Sequence, residues 1–259
     1  MKKFLIITFL VSLFYGCAGN KENIYKSDEN FIIQKYSNVH PKKWSENIDG
    51  VVKNIPTNEK VLALTLDLCG SKNDSLDEDL VTFLIENEIP VTFFVNYRWI
   101  IKHPEKFKKL YSNPLFEIEN HGWKHIPASL NGKSIYGIDG TKNANELYDE
   151  VIVNADLIEK TTGRRPKFFR SGTAYYDEYA VAQIYDMGFK TIGFNILGDA
   201  GATYSAKQVE QALLKSKPSD IIIAHANHPE KETGKGLKSV LPILKAMGFK
   251  FVKLEDYLK

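Results

Sequence analysis

Apolar residues along this chain alternate between two rhythms. Val61 to Leu66 form a near-continuous apolar run that ends in Asp67 and a turn at Gly70. Such a run suits a strand buried on both faces of a parallel sheet. Over Ser75–Glu88 the apolar positions Leu76, Leu80, Phe83 and Leu84 recur at helical spacing, and Asp74 or Ser75 can cap the start. Pro90–Asn96 returns to a β-rich run, Trp99–Tyr111 reads as a second helix, and Leu115–Glu119 as a third strand ending in Asn120-His121. A loop rich in Gly, Ser and Asn follows to about Thr141, long enough to be suspected of function. Asn143–Thr162 is helical in pattern, with Leu147, Val151, Ala155 and Ile158 on one face and Gly163 placed to cap its end. The alternation continues with strands at Lys167–Arg170, Phe189–Asn195, Asp220–Ala224 and Phe249–Leu254, separated by helices at Asp177–Met187, Ala206–Leu214 and Gly236–Met247. This order predicts a parallel α/β architecture. About seven strand–helix repeats suit a barrel better than an open sheet, and no sequence repeat of fixed period is present.

The start of the chain changes the picture. Lys2 and Lys3 precede an apolar stretch from Phe4 to Tyr15, and Gly16-Cys17 follows at once. The box Phe14-Tyr15-Gly16-Cys17 resembles a bacterial lipoprotein signal, which implies cleavage before Cys17 and lipidation of that cysteine. An ordinary secretory signal or a short membrane anchor is the alternative, and all three export the protein. The expected organisation is a signal over residues 1–16, a polar tether and packing segment over 17–58, and the main domain over 59–259. The product would be a membrane-anchored lipoprotein of the bacterial cell envelope. The chain has a net charge of +2, which gives no reason to expect nucleic acid as a partner. Its cysteines, Cys17 and Cys69, imply no disulfide framework.

The carboxyl ends of strands are where catalytic residues gather in α/β sheets and barrels. Four strand ends carry polar chemistry: Asp67, the Asn120–His125 segment, Arg170 and His225, with Asn195–Asp199 as a weaker fifth. His121 and His125 lie four apart, and on a helical turn both imidazoles would face one divalent cation. His225 follows a buried run and suits acid–base work as well as it suits a plain core position. Arg170 can hold a carboxylate, bind substrate or form a structural ion pair. Cys69 reads as a small buried side chain rather than a site thiol.

In order, TLDLCG, ENHGWKH, FFRSG and IIIAH, followed by LPILKAMGFKFVKLEDYL, resemble the polysaccharide deacetylase family, the NodB-homology or carbohydrate esterase 4 group. The resemblance covers about Val61 to Lys259 and implies an α/β fold, a distorted (β/α)7 barrel. It also implies removal of N-acetyl, or O-acetyl, groups from an acetylated glycan with one divalent metal ion, commonly zinc. The family's Thr-Phe-Asp-Asp-Gly motif is met by Thr65-Leu66-Asp67-Leu68, so the first Asp is kept and Leu68 stands in the second place. Asp67-Leu68-Cys69-Gly70 looks like a subgroup with Asp-Ala-Cys-Gly-Gly there. The implied roles are His121 and His125 as metal ligands, Asp67 as base or third ligand, and His225 as the acid. Arg170 and Trp123 are the implied substrate contacts. Glu117 and Glu119 are possible substitutes for the carboxylate. The chain is expected to act as a monomer. The rival expectation, motivated by Leu68 and by a missing Trp in the Asn195–Asp199 segment, is a weakly active or inactive glycan-binding protein.

Overall fold

The computed structural model describes residues 21–258. The signal over residues 1–16 and the lipidation site Cys17 lie outside the described residues. The chain opens with α1 (Lys21–Tyr36) and reaches the first strand, β1 (Val61–Leu68), every residue of which is buried. Then follow α2 (Glu78–Glu86), β2 (Val91–Val95), α3 (Tyr97–Lys102), α4 (Pro104–Tyr111) and β3 (Phe116–Asn120). The expected single helix over Trp99–Tyr111 is therefore two. Pro104 disfavours helical backbone at the residue before it, and His103 adopts φ −129° and ψ 54°. The long loop after His125 contains a small antiparallel hairpin, β4 (Ser134–Ile135) and β5 (Ile138–Asp139). Beyond it come α5 (Ala144–Thr162), β6 (Phe168–Phe169), α6 (Glu178–Asp186), β7 (Lys190–Thr191) and β8 (Ile196–Leu197). The chain closes with α7 (Ala206–Leu213), β9 (Ile221–His225), α8 (Thr233–Ala246) and β10 (Lys250–Phe251).

All strands of the main sheet are parallel, in the order β7-β6-β3-β2-β1-β9-β8, with β10 paired to the start of β1. The sheet curls into a distorted (β/α) barrel with helices outside, as expected. Strand alternation separates two cores. Leu62, Leu64, Leu66 and Leu68 face outward to Leu80, Leu84, Val240 and Leu244 of the helices. Val61 and Ala63 face inward, where Phe94, Phe168, Ile192 and Ile221 fill the barrel and Leu254 and Leu258 plug its lower end. The next inward positions of β1 are Thr65 and Asp67, so the interior turns polar toward the carboxyl rim. Register then brings Asp67 opposite His225 of β9, Leu68 opposite Val95, and Val95 opposite Asn120. One parity rule thus covers the leucines with helices and sends the reactive groups to one rim.

Candidate active site

Arg170 is the hub beneath the rim. It follows β6 and is fully buried. Its guanidinium donates to Asp67 Oδ1 (2.7 Å), Thr65 Oγ1 (2.8 Å), the Gly193 carbonyl (3.0 Å) and the Ile192 carbonyl (3.3 Å). It also lies 4.2 Å from the centroid of the Phe94 ring. A planar fork with several donors meets this set; an ammonium would not. The side chain has no exposed surface left for substrate, so Arg170 orients Asp67. Asp67 Oδ2 is left facing the site, 3.7 Å from His121 Nε2.

His121 is buried, and its Nδ1 lies 2.9 Å from the Arg170 carbonyl. A carbonyl only accepts, so Nδ1 carries a proton, and Nε2 faces the site. This is the outer hydrogen bond that metal-binding imidazoles commonly make. His121 Nε2 stands 3.7 Å from Cys69 Sγ. The His125 ring packs edge-on against His121 at 4.8 Å, and its Nε2 is buried without a hydrogen-bond partner. One ligand atom each from Cys69, His121 and His125 lie within 4.8 Å of one another. A thiolate and two imidazoles, one of them with an unpartnered buried nitrogen, form a three-donor set that suits a zinc-type ion with one position open. Burial alone would raise the Cys69 thiol. The imidazoles of His125 and His225 and the hydrogen bond to His121 outweigh it and hold the thiol well below its ordinary range. Cys69 is therefore a site thiol, contrary to the plain buried side chain expected of it. It lies just beyond the end of β1, at the inward parity of Thr65 and Asp67 rather than the helix-side parity of Leu68.

The two histidines do not sit on a helical turn. Residues 121–127 are irregular backbone, His125 adopts a left-handed φ of 60°, and Gly122 one of 77°. The loop is held from below by side chains. Asn96 Nδ2 donates to the carbonyls of Gly122 (2.6 Å) and His121 (3.1 Å), and Asn120 Oδ1 accepts from the Gly122 N–H (2.9 Å). Glu150 of α5 is buried, and its carboxylate accepts from the N–H groups of Lys124 (2.8 Å) and His125 (3.0 Å). Burial pushes Glu150 up to about 7 against the pull of those N–H groups. Gly172 packs so closely on the His125 backbone that a Cβ there would overlap its carbonyl carbon. Nothing in the sequence pattern alone announced Glu150 or the steric need for Gly172.

On the opposite side, His225 Nδ1 lies 2.9 Å from Asp199 Oδ1, and the His225 N–H donates to Asp199 Oδ2 (2.8 Å). Thr233 Oγ1 donates to the same carboxylate at 3.0 Å. Burial disfavours the charged imidazole, but the Asp199 carboxylate and the Cys69 thiol outweigh it and raise His225 well above its ordinary value. Sequence reasoning placed Asp199 in a weak segment and missed its role. The signal lay in Gly198-Asp199 directly after a strand, with Gly198 pressed on the Ile223 carbonyl.

The structure brings Asp67, His121, His125, Arg170 and His225 together. Trp123 stands half-buried on the same loop, with Lys124 Nζ 4.5 Å from its ring centroid. Glu117 and Glu119 are not in the site. Glu117 accepts from Thr92 Oγ1 (2.5 Å) and the Glu255 N–H (3.1 Å), and Glu119 from the N–H groups of Lys167 (2.8 Å) and Phe168 (2.7 Å). Their neighbours lie lower in the barrel, and neither carboxylate substitutes for Asp67.

Comparison with known proteins agrees with this frame. A family profile described as polysaccharide deacetylase matches residues 54–192. The peptidoglycan-N-acetylglucosamine deacetylase of Bacillus cereus is 22% identical over 209 residues, covering 79% of this chain and 91% of that protein. PdaA of Bacillus subtilis, a family 4 carbohydrate esterase, superimposes with a TM-score of 0.67 at 20% identity, covering 88% of each chain. A mutant of a CE4 family pseudoenzyme superimposes with a TM-score of 0.67 at 20% identity, covering 85% of this chain and 72% of that one. At these identities the structural likeness establishes the fold. With the profile spanning more than half its length, the chain belongs to the polysaccharide deacetylase family, the carbohydrate esterase 4 group of hydrolases that act on the carbon–nitrogen bonds of acetyl groups.

Proposed function

We propose that this protein is a metal-dependent deacetylase that removes acetyl groups from an envelope glycan of the peptidoglycan type. The observation that carries the reading is the convergence of three donors, Cys69, His121 and His125, between an Asp–Arg pair and a His–Asp pair on one rim. Cys69, His121 and His125 would hold one divalent ion, for which zinc suits the donor set. When bound, such an ion supplies Lewis-acid polarisation of the acetyl carbonyl and a lowered pKa for water. Asp67 then works as the base rather than as a ligand, because Arg170 fixes Oδ1 and leaves Oδ2 to accept the proton of the attacking water. His225 gives the proton to the leaving amine from Nε2, since Asp199 occupies its Nδ1 side. Asp199 holds the ring in that orientation and stabilises the imidazolium. Trp123, on the metal-site loop, provides an aromatic face for the acetylated sugar.

Two further parts of the reading rest on sequence alone. The mature protein is anchored in the cell envelope through a lipid on Cys17, and it acts as a monomer. Acetate release from a panel of N-acetylated and O-acetylated glycans tests the central reading. Release from a peptidoglycan-type N-acetylated glycan supports it. Bound metal with no release from any member would favour a glycan-binding protein without activity, the reading that Leu68 in the family's second Asp position motivates.

A further inference from the structure

Beside the metal-site loop runs a row of aromatic side chains that the chemistry above does not use. The Trp44 ring lies 5.7 Å from the Tyr175 ring, tilted by 48°. Tyr136 meets the other side of that cluster, 5.9 Å from Tyr175 and nearly edge-on at 87°. Tyr175 belongs to the loop that follows Arg170. That loop starts at Gly172, which packs on the His125 backbone, and ends at Tyr176, whose hydroxyl accepts the Ser171 N–H at 3.0 Å. Tyr175 is three positions beyond Gly172, a reach of at most roughly 10 Å at full extension. The Tyr175 carbonyl accepts from the Ala128 N–H at 3.2 Å, so the row lies beside the loop that carries His125.

Tyr136 stands out within the row. It is 73% exposed, so burial does not account for it. It occupies the first position of the two-residue turn joining β4 to β5, with Ile135 opposite Ile138. Both turn residues are left-handed, Tyr136 at φ 56° and Gly137 at φ 75°. That turn favours Asn-Gly or Asp-Gly, and a bulky aromatic side chain is strained at its first position. Strain held at an exposed side chain is a mark of use rather than of packing.

We infer that Trp44, Tyr175 and Tyr136 form a stacking surface for the sugar rings that flank the reacting residue of a glycan chain. The inference rests on the proposed glycan reading and extends it from one sugar to a polymer. A pyranose ring presents an apolar C–H face and a hydroxyl edge, which match an aromatic face bordered by phenol hydroxyls. A protein partner fits less well. Aromatic side chains bury up to about 250 Å² each, so even three fully exposed rings fall short of the roughly 800 Å² per side of a specific protein interface.

Tyr136→Asn and Trp44→Ala in the full chain test this, with two readouts. The first is retention on insoluble peptidoglycan. The second is the ratio of kcat/KM for acetate release from an N-acetylglucosamine hexasaccharide to that from the disaccharide. Tyr136→Asn places the residue the turn prefers, so its melting temperature should equal or exceed that of the wild type. Each variant should nevertheless bind the polymer roughly three- to tenfold more weakly and lose its preference for the hexasaccharide by a similar factor. Disaccharide turnover should be unchanged. An active wild type whose two variants retain full polymer binding and full length preference would overturn the stacking surface alone. A wild type that neither binds polymer nor releases acetate would overturn the glycan reading and the surface with it.

Discussion

Replacing Asp199 by Asn separates the role of the acid from that of the metal site. Asp199 is fully buried, and its two oxygens accept from three donors: the His225 N–H, the His225 Nδ1–H and the Thr233 hydroxyl. Asparagine has the same shape but only one accepting oxygen, and its amide hydrogens would face a donor. One buried donor left unsatisfied costs about 1–3 kcal/mol, a few degrees in Tm for a chain of this size. The larger effect is on His225. Its burial opposes protonation, and the Asp199 charge is the main cause that reverses this and raises it. Without that charge the folded-state pKa falls. The leaving amine needs the protonated ring, so activity falls as pH rises through the His225 pKa. The alkaline limb of the pH–rate profile should therefore move to lower pH in the variant. The two enzymes should approach one another in acid and diverge in base, where the loss reaches the roughly 10²–10⁴-fold range of general acid catalysis. Metal content should be unchanged. Steady-state rates across pH, with elemental analysis of the same preparations, provide the assay. A variant that keeps the wild-type alkaline limb would refute the assignment of His225 as an acid tuned by Asp199.

Glu150→Gln bears on the loop that carries the histidines. Glu150 is pushed up to about 7 by burial, so its contribution to stability is fully present below the unfolded value of about 4.5 and is lost as pH rises through about 7. Glutamine has no such titration, so the stability of wild type relative to variant should decline by up to about 3 kcal/mol between pH 4.5 and 8 in denaturant unfolding. A difference constant with pH would show that folding does not raise the Glu150 carboxyl above its unfolded value. Arg170→Met removes the guanidinium that donates to buried Asp67 at 2.7 Å. It should cost about 3–5 kcal/mol by denaturant midpoint, whereas a loss under about 1 kcal/mol would mean the pair is replaceable by packing.

Much of this site is legible in the chain because strand parity is a simple rule. The run VLALTLDL gives the buried strand, and its alternation sends the leucines to the helices and Thr65 and Asp67 inward. His121, Arg170 and His225 follow from their places at strand ends. The residues that escaped are those set by backbone outside the ladder. Cys69 follows the last strand residue, so counting along the motif led to Leu68 instead. The pairing of His121 with His125 is legible, but its loop conformation depends on a left-handed His125 and on close packing by Gly172, 47 positions away. Glu150 reads as one more polar residue on an amphipathic helix until the loop folds over it. The β4–β5 hairpin hid within a long loop because its turn is Tyr-Gly rather than Asn-Gly. The break before Pro104, by contrast, was available in the sequence.

The central claim is a thiolate–bis-imidazole metal centre in which Asp67 is left free as the base. Cobalt substitution of the wild type and of Cys69→Ser, read by elemental analysis and visible absorption, addresses it most directly. The account predicts one divalent ion per wild-type chain, with a thiolate-to-cobalt charge-transfer band. In Cys69→Ser that band is absent and metal is retained at least tenfold more weakly, while in Asp67→Asn both band and metal remain. A Cys69→Ser protein that keeps full metal, alongside a wild type without the band, would contradict it.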